Sequence, residues 1–221
     1  MGCNEVGPIT NRYKGGEMST KAYDDLHETA QVILREAHEL FYEKGYEKSS
    51  MREIAERVGI SKAAMYHHFT NKEEILFTIC LQAGNLVYEN LQQAIRRNQD
   101  LNVSVKEQLT DILLEYTTSY LQNKNFNKIL LHDIESLPDD KQRVILDIEK
   151  SNVNQLRTYL HNLMTKGRLR ECNLTVLTFS LFSAVHWLYF WYRPEKSLSI
   201  EEIVKQIVDI YTNGILAEKR E

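Results

Sequence analysis

Lys62, Tyr66, His67, His68 and Lys72 crowd into one short stretch, SKAAMYHHFTNK, and each can donate a hydrogen bond to a phosphate oxygen or a base edge. Lys62 is a natural reader of guanine O6 and N7 in a major groove. Ala63 and Ala64 offer only methyl groups, which suit a thymine methyl. Upstream, Ser50, Met51 and Arg52 open one helix near the same surface, with Arg52 able to reach a base, and Ser61 opens the next. Chemistry of this kind is recognition by charge and hydrogen bonds. A protein built on it acts by occupying nucleic acid, not by turnover.

Local rules supply the elements that position these residues. Ser50 and Glu53 have capping-box spacing: the hydroxyl takes an orphan backbone N–H and the carboxylate reaches back. Ile54, Ala55 and Val58 then share a helical face. Gly59 falls where a helix ends in the left-handed region, which glycine enters without steric cost. Ile60 can plug the angle between helices, and Ser61 is a second N-cap. The spacing predicts a helix over 62–69 with Met65 and Phe69 facing the core. Asn71 and Glu74 predict a further capping box opening a long helix. Before them, residues 24–44 carry an apolar stripe (Ala30, Ile33, Ala37, Leu40, Phe41) and stop at Gly45. Three short helices with a glycine turn between the last two make a helix-turn-helix, whose final helix enters the major groove.

The run from Thr29 to Leu76, ending YHHFTNKEEIL, resembles the DNA-binding domain of the TetR family of transcriptional regulators. The residues that carry the likeness are Gly45, Ser50, the cluster Tyr66-His67-His68-Phe69 and Lys72-Glu73-Glu74. The resemblance implies an all-α, homodimeric regulator, usually a repressor released by a small ligand. It assigns Tyr66, His68 and Lys72 to phosphates, and Lys62, Ala63 and Ala64 to the groove. His67 stands where the family more often has another aromatic. The implied layout is a flexible arm over 1–22, a three-helix DNA-binding domain over 23–71, and a helical ligand-binding and dimerisation domain over 72–221. About nine helices are expected in all.

Composition limits how DNA is gripped. The chain has 221 residues and a net charge of −4, so no global positive field draws it to a polyanion. From Lys44 to Lys72 the cations are Lys44, Lys48, Arg52, Arg57, Lys62 and Lys72, against Glu47, Glu53 and Glu56, a mildly basic balance. Tight binding therefore calls for two copies. The first residues lack the apolar core of a signal peptide, and Val6 breaks the myristoylation pattern. The 3 cysteines (Cys3, Cys80, Cys172) are scattered, which fits a reducing cytoplasm and gives no metal pattern.

Downstream, helices are expected near 72–97, 104–123, 126–136, 139–167, 175–192 and 199–218. LTVLTFSLFSAVHWLYFWY is hydrophobic nearly all round and reads as a buried core helix; His186 and the hydroxyl residues argue against a membrane span. Ser199 and Glu202 predict another capping box, followed by a stripe of Ile203, Ile207, Ile210 and Tyr211. The resemblance places the dimer on these last two helices, with two reading heads one DNA turn apart and a near-palindromic operator.

A small-molecule site would be apolar with a few polar groups. Candidates are Tyr116, Tyr120, Phe126, Leu130, Tyr159 and Leu163, then Phe179, Phe182, Ser183, His186, Trp187 and Phe190. Trp187, Tyr189 and Trp191 to Pro194 are similar to the C-terminal pattern of a TetR subgroup that senses acyl-CoA thioesters. That resemblance implies a basic rim for phosphates, from Arg193, Arg157, Lys166, Arg168 and Arg170. A cation at Arg193 equally suits a helix end. No resident cofactor is expected; the small molecule is an effector. The alternatives are a multidrug-type sensor of the same fold using Glu115 or Glu135, a helical adaptor that ignores DNA, and a di-iron bundle enzyme. The last needs paired Glu-x-x-His motifs, which the chain lacks.

Overall fold

The computed structural model describes residues 28–99, 103–122, 133–195 and 198–214. Among these the regular elements are helical: α1 (Glu28–Lys44), α2 (Met51–Val58), α3 (Lys62–His68), α4 (Lys72–Asn98), α5 (Val105–Gln122), a 3-10 turn (Ile134–Ser136), α6 (Asp139–Thr165), α7 (Leu174–His186), α8 (Leu188–Trp191) and α9 (Ile200–Asn213). They form two compact units. One runs to Leu81 and adds the described residues up to Gln142; the other runs from Gln82 and resumes at Arg143. The first boundary falls inside α4 and the second inside α6.

In the first unit the α1 stripe (Ala30, Ile33, Ala37, Leu40, Phe41) is buried as expected, with Ile54 and Ala55 of α2 and Met65 of α3. Ser50 caps α2 by accepting the Glu53 N–H, and its hydroxyl donates to the Glu53 carboxylate at 2.8 Å. Gly59 sits at φ 77°, and the N–H groups of Gly59 and Ile60 both reach the Ala55 carbonyl. That is the hydrogen-bonding of a left-handed helix stop. Ser61 caps α3 through the Ala64 N–H at 3.1 Å. The start of α4 differs in detail from a capping box. Asn71 accepts the Glu74 N–H, but the Glu74 carboxylate turns to the backbone N–H and hydroxyl of Thr70, both at 2.7 Å.

In the second unit Leu91, Ile112, Leu113, Leu156, Leu160, Leu181, Val185 and Val204 make the centre of the core. A Cβ on Gly84 would meet the Ile148 side chain at 3.2 Å, so α4 and α6 approach closely there. The Ser199–Glu202 capping box is complete on both sides.

Several sequence expectations need correction. The apolar run expected as one helix over 175–192 is two, α7 and α8, separated at Trp187. Nor is it buried all round. Val176, Phe179, Trp187, Phe190 and Trp191 are exposed, because the described helices of the chain cover only one side of the run. In α9 the buried residues are Ile203, Val204 and Val208, while Ile210 and Tyr211 lie outside. The predicted stripe lies along one face, covered at Ile203 by Leu121, Leu188 and Tyr192 and open at Ile210 and Tyr211. This last helix also ends at Gly214, φ 78°, before the predicted limit of 218. Within the predicted helix over 126–136, the described part is the 3-10 turn, and the rest, like the arm over 1–22, lies outside the described residues.

Gly59 carries the turn between α2 and α3. Gly59→Ala places a Cβ in the left-handed region and is expected to cost about 1–2 kcal/mol, read by urea unfolding.

Candidate functional site

The α2–turn–α3 segment presents a continuous exposed row. Arg52, Ser61, Lys62, Ala63, Tyr66 and His67 are exposed, and Ser50, Met51, Ala64 and His68 are half-buried. Met65 and Phe69 point the other way and are buried, as their spacing predicts. Ala64 lies beside the core-facing Met65, so its methyl is less open than that of Ala63. The Lys62 ammonium stands 5.8 Å from the centre of the Tyr66 ring, a loose cation–π arrangement in solvent. His67 and His68 are set edge to face at 5.6 Å.

Charge on this face is unevenly available. Lys44 is held by Glu53, and Arg57 by Glu43. Arg52 makes only a loose contact with Glu56, 3.4 Å between largely exposed side chains. A contact of that kind contributes little and opens readily. Lys48 and Lys62 are exposed and face no carboxylate partner among the described residues.

Lys72 is not placed like the others. Its ammonium donates to the carbonyls of Tyr46 at 2.7 Å and Ser49 at 3.0 Å, and rests 4.0 Å from the centre of the Tyr46 ring. Burial holds its pKa below the ordinary lysine value. An ammonium has three protons, and two are spent on the loop after α1. Lys72 therefore joins the start of α4 to the approach to α2, a role its sequence position did not reveal. Beside it, Glu73 pairs with Lys141 at 2.6 Å, and Glu47 accepts from the Ser136 hydroxyl at 3.0 Å. These contacts hold the segment around the 3-10 turn to the same unit.

In the second unit the ligand candidates separate into groups. Tyr116, Tyr120, Phe182 and His186 come together. The Tyr116 hydroxyl and His186 Nε2 share a hydrogen bond of 2.7 Å, and the Tyr120 and His186 rings stack at 4.5 Å. Burial pushes His186 down to about 4, so its ring is neutral. Tyr159 and Leu163 lie elsewhere in the core, where the Tyr159 hydroxyl donates to Gln108 at 2.7 Å. Phe179, Ser183, Trp187 and Phe190 are on the outside, and Phe126 and Leu130 lie outside the described residues. Arg193 donates to the Tyr192 carbonyl at 2.9 Å, the helix-end role that its position also suits.

Of the expected basic rim, Arg168 and Arg170 line a groove of about 1050 Å³ with Lys106, Leu109, Leu177 and Ile210. Arg157 and Lys166 are exposed outside it. Sequence reasoning missed Glu149 and Asn152 on α6. Burial pushes the Glu149 carboxyl up to about 7, and both amide atoms of Asn152 are buried without a partner. Of the two acidic residues considered for a cationic ligand, Glu115 pairs with Arg97 at 3.2 Å and Glu135 is in the other unit.

Residues 33–79 match the profile of the bacterial regulatory proteins of the tetR family, and residues 102–215 match a tetracyclin repressor-like C-terminal domain. The chain belongs to the TetR family. It is a helix-turn-helix DNA-binding regulator, like its relatives. It is similar to the TetR-family regulator PfmR from Thermus thermophilus, with 30% identity, TM-score 0.74, and 84% of this chain and 99% of that one covered. It is also similar to AibR, solved with isovaleryl coenzyme A and operator DNA, with 29% identity, TM-score 0.70, and 83% and 97% covered. The repressor KstR2 from Mycolicibacterium smegmatis is 22% identical over 187 residues, covering 83% of this chain and 88% of that protein.

Replacing Lys72 by Met keeps the stem and removes the donors. The loss of charged hydrogen bonds to Tyr46 and Ser49 is expected to lower stability by about 1–3 kcal/mol in urea unfolding, before any DNA is added.

Proposed function

We propose that this regulator is a repressor that binds a near-palindromic operator as a homodimer and is released by a small effector. The observation that carries it is the capped α2–turn–α3 segment with its row of exposed donors. In this reading residues 23–71 read DNA, and residues 72–221 hold the effector and the dimer contact. Lys62 reads a base, Ala63 and Ala64 make methyl contacts, and Arg52 reaches a base or phosphate. Ser50, Met51, Ser61, Tyr66, His67 and His68 lie against the backbone. Lys72 keeps a place in the interface by fixing the loop that carries Ser50. As a DNA-binding regulator it acts in the cytoplasm, where its operator lies.

The dimer is proposed on α7–α9. Val176, Phe179, Ser183, Trp187 and Phe190 follow one another at helical spacing along a face whose apolar members are exposed in one copy. Ile210 and Tyr211 add to the apolar surface of α9. Large exposed apolar patches mark association surfaces, and a second copy presents the same patch. A dimer also doubles the modest cationic surface of one reading head.

The effector class proposed first is an acyl-CoA. The likeness to AibR supports it, as do the apolar walls and the arginines Arg168 and Arg170 of the groove. Effector and operator then compete through one two-state equilibrium, so operator DNA must weaken effector binding by the factor by which effector weakens DNA binding.

Fluorescence anisotropy on the DNA upstream of its own gene, with and without an acyl-CoA pool, tests the regulator and the effector separately. Specific binding lost on adding acyl-CoA is the expected result. Binding-site selection with Lys62→Ala is expected to relax preference at one base position, whereas Tyr66→Ala weakens all sequences alike. Sedimentation of Trp187→Glu is expected to give a monomer with reduced operator affinity. An intact dimer would remove α7 from the interface.

A further inference from the structure

Glu149 and Asn152 lie one turn apart on α6, close enough for one ligand group to touch both side chains. Glu149 is half-buried, and among the described residues no hydrogen bond or ion pair to its carboxyl is found. Asn152 is 1% exposed, and neither its Oδ1 nor its Nδ2 has a partner. Buried polar groups are almost always paired, because an unpaired one forfeits its hydration for nothing. A buried unpaired amide, one turn from a half-buried carboxyl that no cation meets, is a cost that a packed core of leucines would avoid. Such sites persist where an absent partner completes them.

The surroundings indicate what that partner is. Tyr116 and Tyr120 of α5 lie within electrostatic range of Glu149. The Tyr116 ring meets Phe182 edge to face at 4.7 Å and His186 at 5.8 Å, so α7 extends the aromatic surface. Tyr189 of α8 lies within electrostatic range of Tyr120. Burial raises Tyr116 and Tyr120 and holds His186 near 4, so these three are neutral near pH 7. An acidic group beside aromatic faces with no cation of its own favours a ligand that brings one.

On the reading that the second unit takes an effector, we infer that Glu149 and Asn152 together bind the protonated amine of an organic cation, whose apolar body lies on Tyr116, Tyr120 and Phe182. The ammonium donates to the Glu149 carboxylate and to Asn152 Oδ1. An oxygen acceptor beside the amine would satisfy Asn152 Nδ2. Occupancy by the cation requires Glu149 to release its proton, so binding tightens as pH rises through about 7. A thioester carbonyl accepting from the protonated carboxyl would show the opposite trend.

The test uses the full chain and two probes of one shape, phenylbutylamine and phenylbutanol. Thermal melts near pH 6 and near pH 8 are run on wild type, Glu149→Gln and Asn152→Leu, with calorimetric titration of the amine. The amine is expected to raise Tm saturably, more at the higher pH, and the alcohol to have little effect. Glu149→Gln is expected to bind the amine about tenfold more weakly or worse. Equal response to amine and alcohol, an amine response retained in Glu149→Gln, or none in wild type would overturn the inference. So would stabilisation by octanoyl-CoA that Glu149→Gln abolishes.

A ligand-free measurement keeps the inference open to refutation if the amine response is small. Glu149 goes from an ordinary 4.5 in the unfolded chain to about 7 when folded. The folded state then holds the extra proton between those values, so wild-type stability relative to Glu149→Gln must fall as pH rises through that window. A flat difference would place the carboxyl in water and overturn the inference. Operator binding by the same preparations separates the two readings. Specific DNA binding without an amine response removes only the cation site, and failure to bind any selected DNA removes the regulator reading.

Discussion

The ammonium of Lys72 is the tie on which the first unit depends. It joins the first turn of α4 to the carbonyls of Tyr46 and Ser49, the loop that delivers Ser50 to the start of α2. The Ser49 hydroxyl closes that loop onto the Gly45 carbonyl at 2.7 Å, and the Tyr46 ring packs edge to face on Phe41 of α1. Three helices are thus referred to one loop. The exposed row on α3 can be held rigidly with few residues because its neighbours are fixed by charge-assisted hydrogen bonds as well as by core contacts.

The same economy shows in the charges. Most cations near the reading head are committed to the fold: Lys44 to Glu53, Arg57 to Glu43, Lys141 to Glu73. What remains for a polyanion is a narrow set centred on Lys62 and Lys48, with Arg52 only loosely held. A single copy therefore offers few phosphate contacts, and affinity that depends on phosphate contacts is steeply reduced by salt. In the proposed dimer the apolar outer face of α7 answers this limit by joining two reading heads.

The second unit combines a conventional apolar core with a polar fault on α6. Leu156 and Leu160 continue the core along that helix, while Glu149 and Asn152 interrupt it. Gly84 admits the Ile148 side chain, so α4 comes close to α6 one residue from Glu149.

Sequence alone determined the local elements, since their signals are local. Ser50, Gly59 and Ser61 act through hydrogen bonds and backbone angles within a few residues, so α2, its stop and α3 were legible, as was the family. The burial of Met65 and Phe69 followed from helical spacing. Tertiary structure decided whatever depends on a partner distant in the chain. Lys72 looked like a free cation until the carbonyls of Tyr46 and Ser49 met it. The all-round apolarity of 174–192 was visible, but which side one copy buries was set by the packing of α5 and α9. Ile203, Ile210 and Tyr211 share the stripe the spacing indicates, but which of its turns is covered was set by Leu121, Leu188 and Tyr192 packing on Ile203 alone. Glu149 and Asn152 looked like ordinary polar residues of a long helix; only the packing around α6 buried Asn152 without a partner and left Glu149 half-buried with no cation beside it.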